Sequence, residues 1–245
     1  MTVGKTALIT GGGTGIGRAT ALRLAKEKVN IAINYSRSEK EALEVKQEAE
    51  KYGVRCKLYQ ASVTSDNQVR NMMNEVVKDF GSLDILVNNA GMTHFVDHDD
   101  LEGMKEEYWD DVWAVNVKGV FFCCRAAAPE LKKNNGVIIN IASIAGLSGL
   151  GSSIAYAASK AANISVTKSL ARVLAPEARV IGIAPGVVQT RWVEGFEDHI
   201  NHLAGNTPLG RVAVPEDISE FIYGVIEHGG FITGHTIVVD GGAFI

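Results

Sequence analysis

The chain has few of the residues that cross-link small secreted or metal-dependent domains. Its 245 residues include only three cysteines, and two of them, Cys123 and Cys124, are adjacent within an apolar helical pattern. This arrangement provides no disulfide framework and lacks the spacing of a cysteine metal site. Because 46% of the residues are apolar, a chain of this length can bury a core without such links. We therefore expect a reducing compartment, the cytoplasm.

Long basic and long apolar runs are also missing. No basic run exceeds Lys132-Lys133, the formal net charge is −4, and no stretch of 18 apolar residues occurs. From these absences we expect no nucleic-acid partner, no membrane partner and no signal peptide. Four histidines are considered as metal ligands, His94, His98, His199 and His202, but their spacings do not favour a metal site.

Proline is scarce at five residues, whereas glycine, at 26, is more frequent than usual. Short β-like runs alternate with longer helical patterns, which is typical of βαβ units that form a buried parallel sheet. Strands are predicted at Thr6–Thr10, Val29–Tyr35, Arg55–Gln60, Ile85–Asn88, Val137–Ala142, Arg179–Ala184 and Thr236–Val239. Helices are predicted at Ile16–Lys26, Glu39–Tyr52, Asp66–Asp79, Tyr108–Lys132, Ala155–Leu174 and Glu216–Glu227. The pattern predicts one α/β domain over residues 1–245, built on a doubly wound parallel sheet of about seven strands with helices on both faces.

Several of the glycines form a turn between the first strand and the first helix. The turn reads Thr10-Gly11-Gly12-Gly13-Thr14-Gly15-Ile16-Gly17. Glycines at such a place let backbone N–H groups and a helix N-terminus approach a pyrophosphate. A flexible turn is the alternative, but the strand before it and the helix after it favour a dinucleotide site.

The motifs along the chain together resemble those of the short-chain dehydrogenase/reductase family, which has a Rossmann-like fold. They are the glycine turn, Asn88-Asn89-Ala90-Gly91, Asn116, Ser143, Tyr156 with Lys160, Pro185-Gly186 with Thr190, Ile232-Thr233-Gly234, and Val239-Asp240-Gly241-Gly242. Within the family the chain is most similar to 3-oxoacyl-acyl-carrier-protein reductases and related ketone reductases. Leu209-Gly210-Arg211-Val212 and Pro215-Glu216-Asp217-Ile218 carry that closer likeness. The resemblance covers nearly the whole chain.

The end of the second strand bears on the choice between NADP(H) and NAD(H). An acidic residue there would bind the ribose 2′-OH and repel a 2′-phosphate. The strand ends Tyr35-Ser36-Arg37, with no acid, and Arg37 offers a guanidinium matched to phosphate. The sequence therefore favours NADP(H), with NAD(H) as the alternative if Arg37 is an ordinary solvated residue. Thr14 adds no charge where many NADP-using relatives have a basic residue.

The residues predicted to contact the dinucleotide lie at strand ends and on the first turn of helices. They are Gly11, Thr14, Gly15, Ile16, Gly17, Tyr35, Ser36, Arg37, Ser62, Val63, Asn89, Ala90, Gly91, Tyr156, Lys160, Pro185, Gly186, Val188 and Thr190. Ser62-Val63 stands where the family has an Asp–Val pair that contacts adenine, so the carboxylate is replaced by a hydroxyl. Asp66 is interpreted as the N-cap of the following helix rather than as a ligand.

Tyr156 and Lys160 are four residues apart on a predicted helix, so their side chains share one face. A cation near a phenol lowers its pKa, and we expect Lys160 to bring that of Tyr156 towards neutrality. In the reductive direction Tyr156 would protonate a carbonyl oxygen that Ser143 orients as a hydride arrives. The resemblance further implies that Lys160 bonds the nicotinamide ribose and that Asn116 holds a water leading to solvent.

The expected substrate is a 3-oxoacyl group or another small ketone. Residues 187–210 are a predicted substrate lid, in which Trp192, Phe196, Ile200 and Leu203 form one apolar stripe, although such a stripe also suits a helix packed on the core. The pocket walls would include Ile144, Leu147, His94 and Trp192. An acyl carrier protein is a further expected partner. Carrier-protein reductases have two docking arginines, and of these only Arg172 is present, with Ala128 at the other position.

Two alternatives to a ketone reductase remain open at this point. One is an NAD-dependent secondary-alcohol dehydrogenase, and the other is a dinucleotide-binding sensor without catalysis. The joint presence of Ser143, Tyr156 and Lys160 favours an enzyme.

The resemblance implies a homotetramer. Small residues, Ala126–Ala128 and Ala157-Ala158, lie on helix faces expected to point outward, where they would allow close packing between subunits.

Overall fold

The computed structural model describes residues 2–193, 195, 204–205 and 207–245. The predicted lid, residues 187–210, falls partly beyond these ranges. Of the residues to which a role was considered, those outside the described part are Phe196, His199, Ile200, His202 and Leu203.

Seven parallel strands form one sheet in the order β3-β2-β1-β4-β5-β6-β7. The strands are β1 (Thr6–Ile9), β2 (Asn30–Tyr35), β3 (Cys56–Gln60), β4 (Ile85–Asn88), β5 (Val137–Ile141), β6 (Arg179–Pro185) and β7 (Thr236–Val239). Every predicted strand is confirmed to within one residue at each end. The inner strands β1, β4 and β5 are apolar and buried on both sides, as a parallel sheet covered by helices requires.

The helices cover both faces of the sheet, which confirms the predicted doubly wound architecture. They are α1 (Gly15–Lys26), α2 (Glu39–Glu50), α3 (Asp66–Phe80), α4 (Glu106–Trp113), α5 (Val120–Lys133), α6 (Ala145–Ser148), α7 (Ile154–Leu174) and α8 (Pro215–His228). Helices α1, α2 and α8 bury one apolar cluster against the sheet, and α3, α5 and α7 bury a second cluster on the opposite face. Among the helices of the described ranges, none has both the length and the apolar character that a membrane crossing requires.

The strand order reverses between β1 and β4, and this reversal positions the site. The chain runs outward from β1 to β3 in one direction and from β4 to β7 in the other. The connections that follow β1 and β4 therefore run to opposite sides of the sheet, and a crevice opens where they diverge. The motifs of the sequence lie on these loops and on those that follow β5 and β6.

Two local expectations are corrected by the structure. The segment predicted as one helix, Tyr108–Lys132, contains a π-helical stretch at Ala114–Gly119 between α4 and α5. The N-cap of α3 is Ser65, whose hydroxyl accepts from the backbone N–H of Gln68 at 3.4 Å. Asp66 instead pairs with Arg70 and Arg125, at 3.0 and 2.6 Å, and their guanidinium groups lower the pKa of its carboxyl.

The small residues expected on outward helix faces are divided between the core and the surface. Ala127 and Ala157 are buried in the chain's own core, whereas Ala126, Ala128 and Ala158 are only partly buried. A periodicity of small residues does not by itself distinguish an inner face from an outer one. Association into a homotetramer stays a prediction.

Candidate active site

The glycine turn after β1 is tied by hydrogen bonds to the loop after β4. The Thr10 hydroxyl accepts from the backbone N–H groups of Asn89 and Ala90, both at 3.0 Å. In return, the side-chain amide of Asn89 donates to the carbonyl oxygens of Thr10 and Gly11, at 3.0 and 3.1 Å. Asn89 and Ala90, predicted as dinucleotide contacts, are thus also supports of the turn, and Thr10 is a support that the sequence analysis missed.

Backbone conformation at one position and close approach at another explain why two of these turn residues are glycine. Gly15 has φ +52°, a conformation that side chains disfavour, at the first residue of α1. A Cβ atom on Gly17 would lie 2.5 Å from both the Asn89 amide nitrogen and the Gly11 carbonyl oxygen. Backbone therefore packs directly on backbone here, with Ile16 placed against the core.

The N-terminus of α1 suits an anionic group. Its N-cap residue, Thr14, makes no side-chain capping bond, and the first turn of the helix contains no acidic residue. The first backbone N–H groups of a helix lack intrahelical partners, and the helix dipole favours negative charge beside them. An uncapped helix start on a glycine cradle fits the pyrophosphate of a dinucleotide.

At the end of β2 the three predicted contact residues differ in burial. Tyr35 is buried, and its hydroxyl donates to the Glu39 carboxylate at 3.3 Å; burial and this carboxylate raise the pKa of the phenol. Ser36 and Arg37 are exposed. Arg37 has no hydrogen bond or ion pair with the described residues, so its guanidinium is available to a ligand.

The predicted adenine contacts after β3 are held by local bonds. The Ser62 hydroxyl lies 2.8 Å from that of Thr64, and the Ser62 backbone N–H donates to the Gln68 side chain at 2.8 Å. Val63 packs against the π-helical stretch, where a Cβ on Gly119 would lie 2.9 Å from its side chain. Adenine contact by Ser62 and Val63 stays a prediction.

The loop after β6 joins the glycine turn to the loop after β5. The Pro185 carbonyl accepts from the backbone N–H of Ile144 at 3.0 Å. Gly186 leaves no room for a side chain, since its Cβ would lie 2.8 Å from that of Asp240. Val188 forms a β-bridge with Ala213, and the Thr190 methyl group would lie 3.2 Å from a Cβ on Gly15.

Ser143, Tyr156 and Lys160 come together beside this loop. The Ser143 hydroxyl accepts from the backbone N–H of Ala145 at 3.1 Å and is hydrogen-bonded to Tyr156. Lys160 is 4% exposed, its Nζ donates to the Ile141 carbonyl at 2.8 Å, and Nζ lies 5.6 Å from the centre of the Tyr156 ring. The structure thus gathers a hydroxyl, a phenol and an amine at the carboxyl end of β5.

The protonation of this group differs from the sequence expectation. Burial raises the pKa of Tyr156 to about 12, although its hydrogen bond with Ser143 acts in the opposite direction. Burial also lowers the pKa of Lys160 to about 8. The expected shift of the phenol towards neutrality is therefore wrong for the protein without a ligand, because desolvation disfavours both charged forms.

Asn116 lies in the π-helical stretch and joins three parts of the site. Its Oδ1 accepts from the Met92 backbone N–H at 3.0 Å, and its Nδ2 donates to the Met92 carbonyl and the Ser159 hydroxyl at 2.9 and 3.0 Å. Both donors of the amide are used, whereas Oδ1 retains one acceptor position. The predicted water contact of Asn116 stays a prediction. Gly91 lies beside it, since its Cβ would be 3.5 Å from Oδ1.

Two serines that the sequence analysis missed position Tyr156. The Ser153 hydroxyl caps α7 by accepting from the Tyr156 backbone N–H at 3.2 Å, and the Ser159 hydroxyl donates to the Tyr156 carbonyl at 2.7 Å. Serine before a helical pattern is an N-cap signal, so Ser153 was detectable from sequence. The link from Ser159 to Asn116 was not, because it joins residues 43 apart.

Four predicted wall residues are described, and their settings differ. Trp192 lies edge-on to Tyr156, with ring centres 6.1 Å apart, and is 42% exposed. His94 stacks on Tyr108 and lies 3.1 Å from the Asp111 carboxylate. Leu147 is exposed and Ile144 partly buried. Within the described ranges no three His, Cys, Asp or Glu side chains gather as a metal ion would need.

Comparison with known proteins identifies relatives over the full length of the chain. The family model that matches residues 11–243 is described as enoyl-(acyl carrier protein) reductase. The chain is 39% identical over 249 aligned residues to 3-oxoacyl-[acyl-carrier-protein] reductase FabG of Staphylococcus aureus, with 100% of both chains covered.

Solved structures with the same fold include one complex with NADP and one with NAD⁺. A short-chain dehydrogenase of Burkholderia cenocepacia in complex with NADP has a TM-score of 0.92 and 34% identity, covering 100% of this chain and 99% of that one. An NAD⁺-bound xylitol dehydrogenase has a TM-score of 0.91 and 29% identity, covering 98% and 99%.

Proposed function

The chain belongs to the short-chain dehydrogenase/reductase family, and on that basis we propose that it reduces a ketone to a secondary alcohol with NADPH. The observation that carries the proposal is the grouping of Ser143, Tyr156 and Lys160 at the same crevice as the uncapped glycine turn. A dinucleotide-binding sensor would need the turn but not this group. The proposed reaction therefore uses both parts of the crevice.

The dinucleotide supplies the hydride that the carbonyl carbon accepts. Tyr156 donates its phenolic proton to the carbonyl oxygen, and the Ser143 hydroxyl orients and polarises that oxygen. A phenol with a pKa of about 12 is protonated at neutral pH, so Tyr156 is ready to act as the acid. After transfer, Tyr156 would recover a proton from solvent by way of Lys160 and the water predicted at Asn116.

The preference for NADP(H) rests on Arg37. Its guanidinium is exposed and has no partner among the described residues, and the end of β2 has no acid. A charge-assisted bond to a 2′-phosphate would favour NADP(H). An NAD-dependent dehydrogenase remains the alternative, and it would leave Arg37 in solvent.

The proposed substrate class is a 3-oxoacyl group or a similar small ketone. Apolar side chains near Tyr156, Trp192 above all, suit an acyl chain better than a phosphorylated sugar. For a carrier-bound substrate, Arg172 is exposed as docking requires. Lys132 and Lys133, which could replace the arginine missing at Ala128, lie 3.9 and 3.6 Å from Glu177 and Glu130 of the same chain. These acids compete with a carrier, so we propose that a carrier protein adds little to the use of a free thioester or ketone.

The experiment is a screen of ketones, oxoacyl thioesters and secondary alcohols with both dinucleotides, followed at the nicotinamide absorbance. Faster ketone reduction with NADPH is the expected result. Dinucleotide binding without turnover of any compound would favour the sensor, and faster alcohol oxidation with NAD⁺ would favour the dehydrogenase.

A second comparison decides the carrier question. We expect an oxoacyl carrier-protein substrate to be used no more than modestly better than the matching short thioester. A large preference for the carrier that Arg172→Glu abolishes would show that one arginine suffices, and the free-substrate proposal would then be wrong.

A further inference from the structure

Arg191 reaches from the loop after β6 to the glycine turn. One guanidinium nitrogen donates to the Thr14 hydroxyl at 3.1 Å, and another lies 3.3 Å from the Glu41 carboxylate on α2. The preceding residue, Thr190, packs on the same turn, with its methyl group 3.2 Å from where a Cβ on Gly15 would be. The segment Thr190-Arg191 therefore crosses the crevice and brings a cation to the start of α1.

This cation stands where the turn itself provides no charge. Thr14 is neutral and does not cap α1, and no acid occupies the first turn of that helix. Arg18, in the same turn of α1, is committed to the Glu48 carboxylate at 2.6 Å. Among the described residues, the one ion pair of Arg191 is long, and its carboxylate partner is itself 40% exposed. A stronger anion at the turn would replace that weak contact at little cost.

We propose that Arg191 binds the pyrophosphate of the nicotinamide dinucleotide. This inference rests on the proposed function, since it assigns a residue to the same dinucleotide site. The planar guanidinium can donate two hydrogen bonds to a phosphate while the helix start donates backbone N–H groups to it. Glu41 is then the resting partner of Arg191, and dinucleotide binding exchanges it for phosphate.

Arg191 and Arg37 would have different effects on selectivity. The pyrophosphate is common to NADPH and NADH, so Arg191 contributes to the affinity for both. The 2′-phosphate is unique to NADPH, so Arg37 contributes to the difference between them. The adjacent residue, Trp192, contacts the Tyr156 ring edge-on. Binding of Arg191 to the dinucleotide would therefore also fix the residue next to the one that contacts the catalytic tyrosine.

The test is equilibrium binding of NADPH and of NADH without substrate, followed by the fluorescence of the reduced nicotinamide. Arg191→Ala should weaken both by the same factor, roughly 10-fold, as expected for loss of charge-assisted bonds at a partly exposed site. Arg191→Lys, which keeps the charge but not the planar pair of donors, should lose less. Glu41→Gln should leave both affinities unchanged or up to about 2-fold tighter, because it removes the competitor.

Three results would overturn the inference. Unchanged binding by Arg191→Ala is the first. A loss confined to NADPH is the second, because it would assign Arg191 to the 2′-phosphate. Equal weakening by Glu41→Gln and Arg191→Ala is the third, since it would show that the ion pair only holds the loop in place. If the unaltered protein binds neither dinucleotide, the proposed function fails; if it binds both and reduces ketones while Arg191→Ala is unaffected, only this inference fails.

Discussion

The two sides of the crevice are built by different means. At the glycine turn, backbone packs on backbone, and Thr10 and Asn89 hold the turn through four hydrogen bonds. At the catalytic group, side chains from α7 and from the loop after β5 meet, and desolvation shifts the pKa of both Tyr156 and Lys160. The first side is arranged for shape and the second for proton affinity. Substitutions should therefore act mainly on binding and stability at the turn, and on rate and pH dependence at the catalytic group.

Tyr156→Phe should have the largest effect, and it tests the catalytic side. The ring still packs, but the transferable proton is gone, so kcat should fall by about 100- to 10,000-fold while dinucleotide affinity stays near that of the unaltered protein. Steady-state kinetics and binding titrations measure the two. The matched control is Tyr223→Phe on α8, where the ring packs against Arg23 of α1; this variant should keep its rate. Retention of more than a few per cent of turnover by Tyr156→Phe would contradict the assignment.

Lys160→Met should reveal the cost of burying the amine. The pKa of Lys160 is about 8 in the folded protein and about 10.4 in an unfolded chain. Between these values the unfolded state binds a proton that the folded state has lost, so stability rises with pH. Relative to Lys160→Met, the unaltered protein should gain about 3 kcal/mol between about pH 7 and about pH 10.4. Urea unfolding of both proteins across this range measures the gain; a pH-independent difference would show that burial does not depress the pKa.

Arg37→Ala should alter the comparison between the dinucleotides. If the guanidinium binds the 2′-phosphate, charge-assisted bonds worth about 1.5–3 kcal/mol give roughly a 10- to 150-fold preference for NADPH, and the variant should lose most of it. The measurement is kcat/KM for both dinucleotides, with exposed Lys40→Ala as the control for general loss of positive charge near α2. Equal or better use of NADH by the unaltered protein would mean that Arg37 faces solvent.

Gly17→Ala should have the smallest effect and tests the turn. Its Cβ would lie 2.5 Å from the Asn89 amide nitrogen and the Gly11 carbonyl oxygen, so the turn must shift. We expect a loss of about 1–3 kcal/mol in the free energy of unfolding, with weaker binding of both dinucleotides. Gly224→Ala in α8, where a Cβ would meet nothing within 4 Å, should instead be neutral or stabilising. Equal behaviour of the two variants in urea unfolding would show that the turn is not tightly packed.

The sequence by itself determined the sheet and the places of the candidate residues. Apolar runs bounded by turns are local signals, and the strands they predict end within one residue of those observed. Because parallel strands end at one edge, the same pattern also indicated that Ser143, Tyr156 and the glycine turn share a crevice. Tyr156 and Lys160 could be assigned to one face for an equally local reason, the period of the helix.

Only the tertiary structure decided the properties that depend on distant neighbours. Asn116 bonds to Met92 and Ser159, which lie far from it in the chain, and the pKa of Tyr156 follows from burial that no spacing reveals. Arg191 reaches Thr14 across 177 positions of the chain, so no periodicity could indicate that contact. Hydrogen bonds and desolvation depend on three-dimensional proximity, whereas helix and strand patterns depend on neighbours along the chain. This difference separates what could be predicted from what had to be observed.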